Sequence, residues 1–189
     1  INVPFWSDHA IKTRWISMPS ANAAMRFKED EPWAFPGGTI FMKHFDMETR
    51  RGDPITKKRL ETRFLVYTAL GNYYGITYRW NEAQDNAILI PPEGLKEMLT
   101  IEEDGVERLQ EWHYPGAREC MACHNGGPDF KEAGRFGRYA LGFNTEQLNM
   151  HTDLEGEVIH QLHAMDRAGK LNPPLTKPVD QLPTMAGAD

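Results

Sequence analysis

The chain lacks any long hydrophobic run. Nowhere do its 189 residues approach the roughly 20 consecutive apolar side chains that a membrane helix needs, so no membrane span is expected. It also lacks an excess of positive charge: 21 Lys and Arg stand against 27 Asp and Glu, for a formal net charge of −6. That balance argues against nucleic acid as the main partner. No internal repeat is present. The sequence starts at Ile1 without a Met or a signal-like segment, and so reads as a processed mature chain or a piece of a longer one. Cysteine is scarcest of all, with only two in the chain, Cys120 and Cys123.

What is present suits one domain spanning 1–189. Apolar residues make up 40 %, with five Trp, nine Phe and six Tyr, enough for a packed core. Residues 1–36 carry Pro4, Pro19, Pro32 and Pro36 and read as an irregular arm. From Gly38 the pattern turns to strand, with Thr39, Phe41, Lys43 and Phe45 on one face and Ile40, Met42 and His44 on the other. Arg59 to Leu70 and Tyr73 to Trp80 predict a hairpin around Gly71-Asn72. Its Phe64, Val66, Tyr74, Ile76, Tyr78 and Trp80 are the expected core face. Ala87 to Ile90 reads as a short strand closed by Pro91-Pro92, and Asp104-Gly105 marks a second hairpin. Asn144 with Gln147 resembles a capping box. Asp153 is expected to cap a helix running to Ala168 and stopped by Gly169. The tail 172–189, with four prolines, reads as extended and loosely held. The expected class is α+β, a mostly antiparallel sheet with C-terminal helices.

The two cysteines stand three apart, followed at once by His124. On one helical turn, two thiols so spaced reach the vinyl groups along one edge of a porphyrin, and the next residue turns its imidazole toward the iron. This is the spacing of a c-type haem attachment site, and His is a standard axial ligand. One haem c, covalent through Cys120 and Cys123 with His124 as axial iron ligand, is therefore expected. Three other readings compete. Structural zinc needs two further ligands, and His160 and His163 lie opposite the stripe Val158, Leu162, Met165, where solvent is expected. A thioredoxin-like redox pair needs a βαβ context that the pattern lacks. A plain disulfide leaves His124 unexplained. Thioethers are made on the outer side of the bacterial cytoplasmic membrane, so a periplasmic or secreted location is expected.

Two resemblances extend this reading. Phe35-Pro-Gly-Gly-Thr-Ile-Phe-Met-Lys43 ahead of an aromatic hairpin, then Pro115-Gly-Ala-Arg-Glu-Cys-Met-Ala-Cys-His124, resembles the cytochrome P-460 and cytochrome c′-beta family, as do Arg135-Phe136 and Tyr139 further on. Pro4-Phe-Trp-Ser-Asp8 with Ala10, Lys12, Arg14 and Trp15 is similar to a bacterial cytochrome domain often joined to sugar-dehydrogenase-like propellers. So are Glu61-Thr-Arg63, Tyr78-Arg-Trp-Asn-Glu82 with Gln84 and Asp85, and Leu141-Gly142 through Thr145 to Gln147-Leu-Asn149. The resemblance implies a mostly β haem protein. It also implies a special place for Lys43, since in the P-460 enzymes, which oxidise hydroxylamine, a strand lysine is cross-linked to the haem. Here His44 replaces the acidic residue that follows that lysine. Independently, Lys43 is the one charge among Thr39, Phe41 and Phe45. A lysine buried there has a depressed pKa, whereas one lying along the sheet keeps its ammonium in water; the distal pocket is its expected place.

A sixth iron ligand decides between electron transfer and small-ligand chemistry. Met150 is the first candidate, with His151, Met42, His44 and His113 behind it. Arg63 and Arg79 are candidates to pair with haem propionates or to form ordinary salt bridges. The leading expectation is an exported single-haem cytochrome that exchanges electrons with a redox partner protein or a fused dehydrogenase domain, rather than a stand-alone enzyme. The alternatives are a P-460-type enzyme acting on hydroxylamine or a similar nitrogen compound, and a five-coordinate protein binding nitric oxide or carbon monoxide.

Overall fold

The structure, a computed structural model, describes residues 7–124, 140–154 and 156–185. Along the chain come β1 (Ile11–Ser17), β2 (Met25–Arg26), β3 (Ile40–Glu48), β4 (Lys57–Tyr67), β5 (Tyr73–Trp80) and β6 (Ala87–Leu89). Then follow β7 (Leu95–Glu103), β8 (Val106–Tyr114), α1 (Ala117–His124), α2 (Thr145–Leu148), β9 (His151–Leu154), β10 (Glu157–His160), α3 (Gln161–Arg167) and β11 (Leu171–Asn172). Strand predominates and the helices are short, in keeping with a mostly antiparallel β protein. The chain divides into two compact units.

One unit holds the described residues 7–17 and 40–124. Its antiparallel sheet has the order β1-β3-β4-β5-β6. The β4–β5 hairpin forms as its turn residues predict, with Gly71 in the left-handed region at φ 78°. Residues 11–17 are not part of an irregular arm: they pair with β3 along their whole length. Their alternation carries Lys12, Arg14 and Ile16 on the more buried side, with Ile11, Thr13 and Trp15 facing out. That order inverts the usual polar-out pattern, which is why the segment does not read as a half-buried strand.

A register shift between Phe45 and Asp46 leaves Leu60 unpaired, so that consecutive Leu60 and Glu61 are both buried. Leu60 thereby joins Phe45, Met47, Ile90, Ile101, Trp112 and Tyr114 in the hydrophobic core between the sheet and the β7–β8 hairpin. Asp104 and Gly105, both at positive φ, turn that hairpin. Arg79 and Tyr114 both bond Glu97 and tie it to β5. The core therefore lies beside Phe45, not on the aromatic face of Phe64, Tyr74, Tyr78 and Trp80. On that face Tyr74 is 45 % exposed and Trp15, on the same side, 51 %. Aromatic content predicted burial there, but the β7–β8 hairpin packs on the other side of the sheet.

The second unit holds the described residues 18–39, 140–154 and 156–185. Its β2 and β11 pair in parallel. Trp33 is buried, its indole N–H donating to the Lys28 carbonyl at 3.0 Å. Asn144 caps α2 as expected, accepting from the Gln147 amide at 2.9 Å. The helix expected over 153–168 is instead a β9–β10 hairpin followed by α3. Asp153 accepts from the Gly156 amide at 2.9 Å, closing the turn, and Val158 and Ile159 extend as strand, the conformation β-branched residues favour. Gly169 ends the helical stretch at φ 64°. Nor is the tail loose: the buried Asn149 side chain donates to the carbonyls of Val179, Leu182 and Pro183 at 2.8–3.2 Å, and Leu182 is buried.

Replacing Asn149 with Ala leaves those buried carbonyls without their donor, so unfolding free energy should fall by about 1–3 kcal/mol. Limited proteolysis should then cut after residue 172 faster than in the wild type, and an unchanged cleavage rate would show that the tail is held some other way.

Candidate functional site

The Cys-Met-Ala-Cys-His run forms the end of α1, and Cys120, Cys123 and His124 share one face of it by helical spacing. Two glycines fix where the helix starts. A Cβ on Gly116 would collide with the Pro92 carbonyl, and one on Gly94, at φ 85°, would sit 2.9 Å from the Tyr114 carbonyl. Glu119 then accepts from the Gly116 amide and from His113, each at 2.8 Å. This ties β8 to the first turn of the helix, and the carboxylate suits the positive end of its dipole. His113, one of the possible iron ligands, is engaged in this contact.

A third glycine seats the motif. A Cβ on Gly75 would overlap the Cys120 Cβ and lie 2.7 Å from its Sγ. Cys120 therefore rests on the β5 backbone, on the side of the sheet to which Gly75 and Thr77 point. Cross-strand register extends that side outward. One row runs Ile16, Phe41, Leu65, Gly75 and the next Arg14, Lys43, Arg63, Thr77. A third starts Lys12, Phe45, Glu61. Lys43 and the Cys120 thiol thus share one face. Met42 and His44 are on the opposite face, where His44 contacts Thr62 at 2.7 Å and Asp46 at 3.1 Å. Met150 belongs to the other unit, its amide bonded to the Leu148 carbonyl.

Charge dominates the middle of this face. Glu61 is fully buried and takes two hydrogen bonds from Arg63, at 2.9 and 2.5 Å. Burial still holds its carboxyl above the ordinary range. The Lys43 Nζ and Arg63 Cζ lie 4.8 and 4.4 Å from the centroid of the same Phe45 ring. Burial, reinforced by Arg14 and Arg63, lowers the Lys43 pKa to about 8. Burial also raises the Cys120 thiol, against the pull of Arg63. Both cysteines are free thiols, Cys123 exposed. Thr77 Oγ1 is buried beside the Cys120 thiol.

Arg79 pairs with Glu97 and Arg63 with Glu61. Arg14 and Lys12 complete the cationic face; both stand in the Lys12, Arg14, Trp15 string, and their period-two spacing was the available signal. Elsewhere, His160 is not solvated as expected. Its ring lies 4.9 Å from that of His151 and 4.8 Å from that of His163, and burial lowers its pKa. No group of side chains able to hold a metal ion occurs among the described residues. Pro4 to Trp6, Arg135-Phe136 and Tyr139 lie outside the described residues. No helix among the described residues is long and apolar enough to cross a membrane. Comparison with known proteins finds no matching family, curated sequence or solved structure.

Gly75→Ala should force α1 away from β5, at a cost of about 1–3 kcal/mol, and should speed alkylation of Cys120 in the haem-free chain; an unchanged rate would mean that the contact does not shield the thiol. Lys43 carries a second expectation. Its pKa is near 8 when folded against 10.5 as the ordinary value, so between those pH values the unfolded chain binds more protons. Stability from this group therefore rises with pH across that window. Denaturant titrations at pH 7.5 and 10 should show the rise flattened in Lys43→Met, and an equal rise in both proteins would contradict the shift.

Proposed function

We propose that this chain is an exported cytochrome with one covalent haem c, bonded through Cys120 and Cys123 with His124 as axial iron ligand. On this reading it exchanges electrons with a redox partner protein or a fused dehydrogenase domain, in the periplasm or outside the cell. The observation that carries the reading is the seating of the motif. Both thiols and the imidazole project from one face of a helix whose start is fixed by Gly94, Gly116 and Glu119. The mostly antiparallel sheet and the resemblance to the P-460 and c′-beta cytochromes agree with it.

The residues present fit such a group. The two thiols are unpaired. Beside Cys120 stand the apolar row Ile16, Phe41, Leu65 and the stacked Tyr67–Tyr73 pair, with ring centroids 4.5 Å apart. The buried Thr77 hydroxyl lies on the same face, beside the Cys120 thiol. Bound haem supplies one-electron redox chemistry at its iron. The chain's own part is to hold and orient. Cys120 and Cys123 would anchor the group, His124 would ligate its iron, and the apolar row would keep water from it. The exposure of Cys123 leaves that end of the motif within reach of a partner, and the net charge of −6 favours a partner with a basic docking face.

Lys43 favours a second reading. An amine with a pKa near 8, on the same face as Cys120, is partly neutral near physiological pH and able to react or to bind a ligand. That is the property a P-460-type enzyme, or a pocket for nitric oxide or carbon monoxide, would use.

Denatured protein isolated from an exporting bacterial host should retain porphyrin mass, and its absence would sink both readings. Low-spin bands that carbon monoxide leaves unchanged are expected for electron transfer. A high-spin or red-shifted Soret band that carbon monoxide alters would favour the second reading, and a spectrum unchanged in Lys43→Met would eliminate the cross-link.

A further inference from the structure

We infer that the row Arg14–Lys43–Arg63, with Lys12 beside it, is the strip that binds the two propionate carboxylates of the haem held by Cys120 and Cys123. This rests on the proposed cytochrome reading and names the residues that complete its site.

The row is electrostatically unfavourable by itself. Residues directly opposite on antiparallel strands have Cβ atoms roughly 4.5–5.5 Å apart, and like charges so placed destabilise the sheet. Here three cations stand opposite one another across three consecutive strands, all on the partly buried side. Lys12 adds a fourth one row along, opposite Phe45. Against them the face offers the Glu61 carboxylate, both of whose oxygens are already bonded to Arg63. Among the described residues, neither Arg14 nor Lys43 forms an ion pair. The mutual repulsion is visible at Lys43, whose pKa falls under the influence of Arg14, Arg63 and Lys12 after burial itself. Arg14 at the edge strand can reach water along its stem. Lys43 is flanked on both sides by strands and has no such freedom.

The pattern along the strands supplies the ligand's shape. Next to the cation row, on the Cys120 side, lies the row Ile16, Phe41, Leu65, Gly75, and beyond it Tyr67 and Tyr73. The face is thus apolar where it meets the thiol and cationic one step away. A flat apolar molecule with two carboxylates along one edge matches both halves. Guanidinium groups suit carboxylates through paired N–H donors, and two carboxylates would offset the charge of Arg14 and Lys43.

The test compares wild type, Arg14→Gln, the Lys12→Gln/Arg14→Gln double variant, and Lys96→Gln on the distant β7 as control, each first weighed denatured for covalent porphyrin. A chain without porphyrin overturns the cytochrome reading and this inference together. With porphyrin present, resonance Raman should show shifted propionate bending bands in the two row variants and wild-type bands in the control. Bands unchanged in all four overturn the inference alone. Thermal unfolding gives an independent sign. Removing a row cation should lower the midpoint of the haem-loaded protein, and raise or leave unchanged that of the haem-free chain made in the cytoplasm. A midpoint that falls equally in both forms points to a purely structural Arg14 and overturns the inference. Where a haem-free variant fails to fold, the Raman bands decide.

Discussion

Position 75 has no side chain, and the arrangement of the larger unit around α1 depends on that. Any Cβ there would overlap Cys120, so the helix could not lie on β5, and the two thiols could not share a face with the cation row. The same economy recurs at Gly94 and Gly116, where the backbone of residues 92–94 meets the backbone of Tyr114 and Gly116 just ahead of the helix. Close approach makes the position of α1 stiff, because the contacts are main chain and Cβ rather than adaptable side-chain ends.

The sheet is patterned against habit. Aromatic side chains crowd its more open face, while Lys12, Arg14, Lys43, Glu61 and Arg63 occupy the side that carries the core and the helix. Such an inversion costs stability, since buried charge must be offset and exposed aromatic surface is left in water. The proposed propionate strip would account for the first half of that cost, since charge retained inside suits a ligand of opposite sign. The Thr62–His44–Asp46 contacts and the stacking of Arg59 on Trp80 at 3.9 Å give the aromatic face local order of its own.

Much of this was legible in the residues. Period-two alternation defines β3 and the Gly71-Asn72 hairpin, Asp104-Gly105 marks the second hairpin, and the five-residue motif falls on α1. The failures share a cause. β1 escapes the alternation because its charged side chains point inward, and aromatic content does not place the core because the aromatic face is the open one. Over 153–168, Leu162 and Met165 fit a helical stripe equally well whether the strand residues before them join it or not. Tertiary partners settle each of these, and local pattern does not contain them. The grip of Asn149 on three carbonyls more than 29 residues away is of the same kind.

The parallel pairing of β2 with β11 has a consequence for synthesis. The strand formed by residues 25–26 has its parallel partner at 171–172, so that pairing waits until residues 171–172 have left the ribosome. The sheet-bearing unit, built chiefly from the contiguous stretch 40–124, completes its strand pairings much sooner. Translation thus delivers α1 onto a nearly finished sheet before β2 and β11 of the second unit can pair. A chain truncated before residue 171 would have its sheet and its thiols, yet leave residues 25–26 with an exposed edge available to other chains.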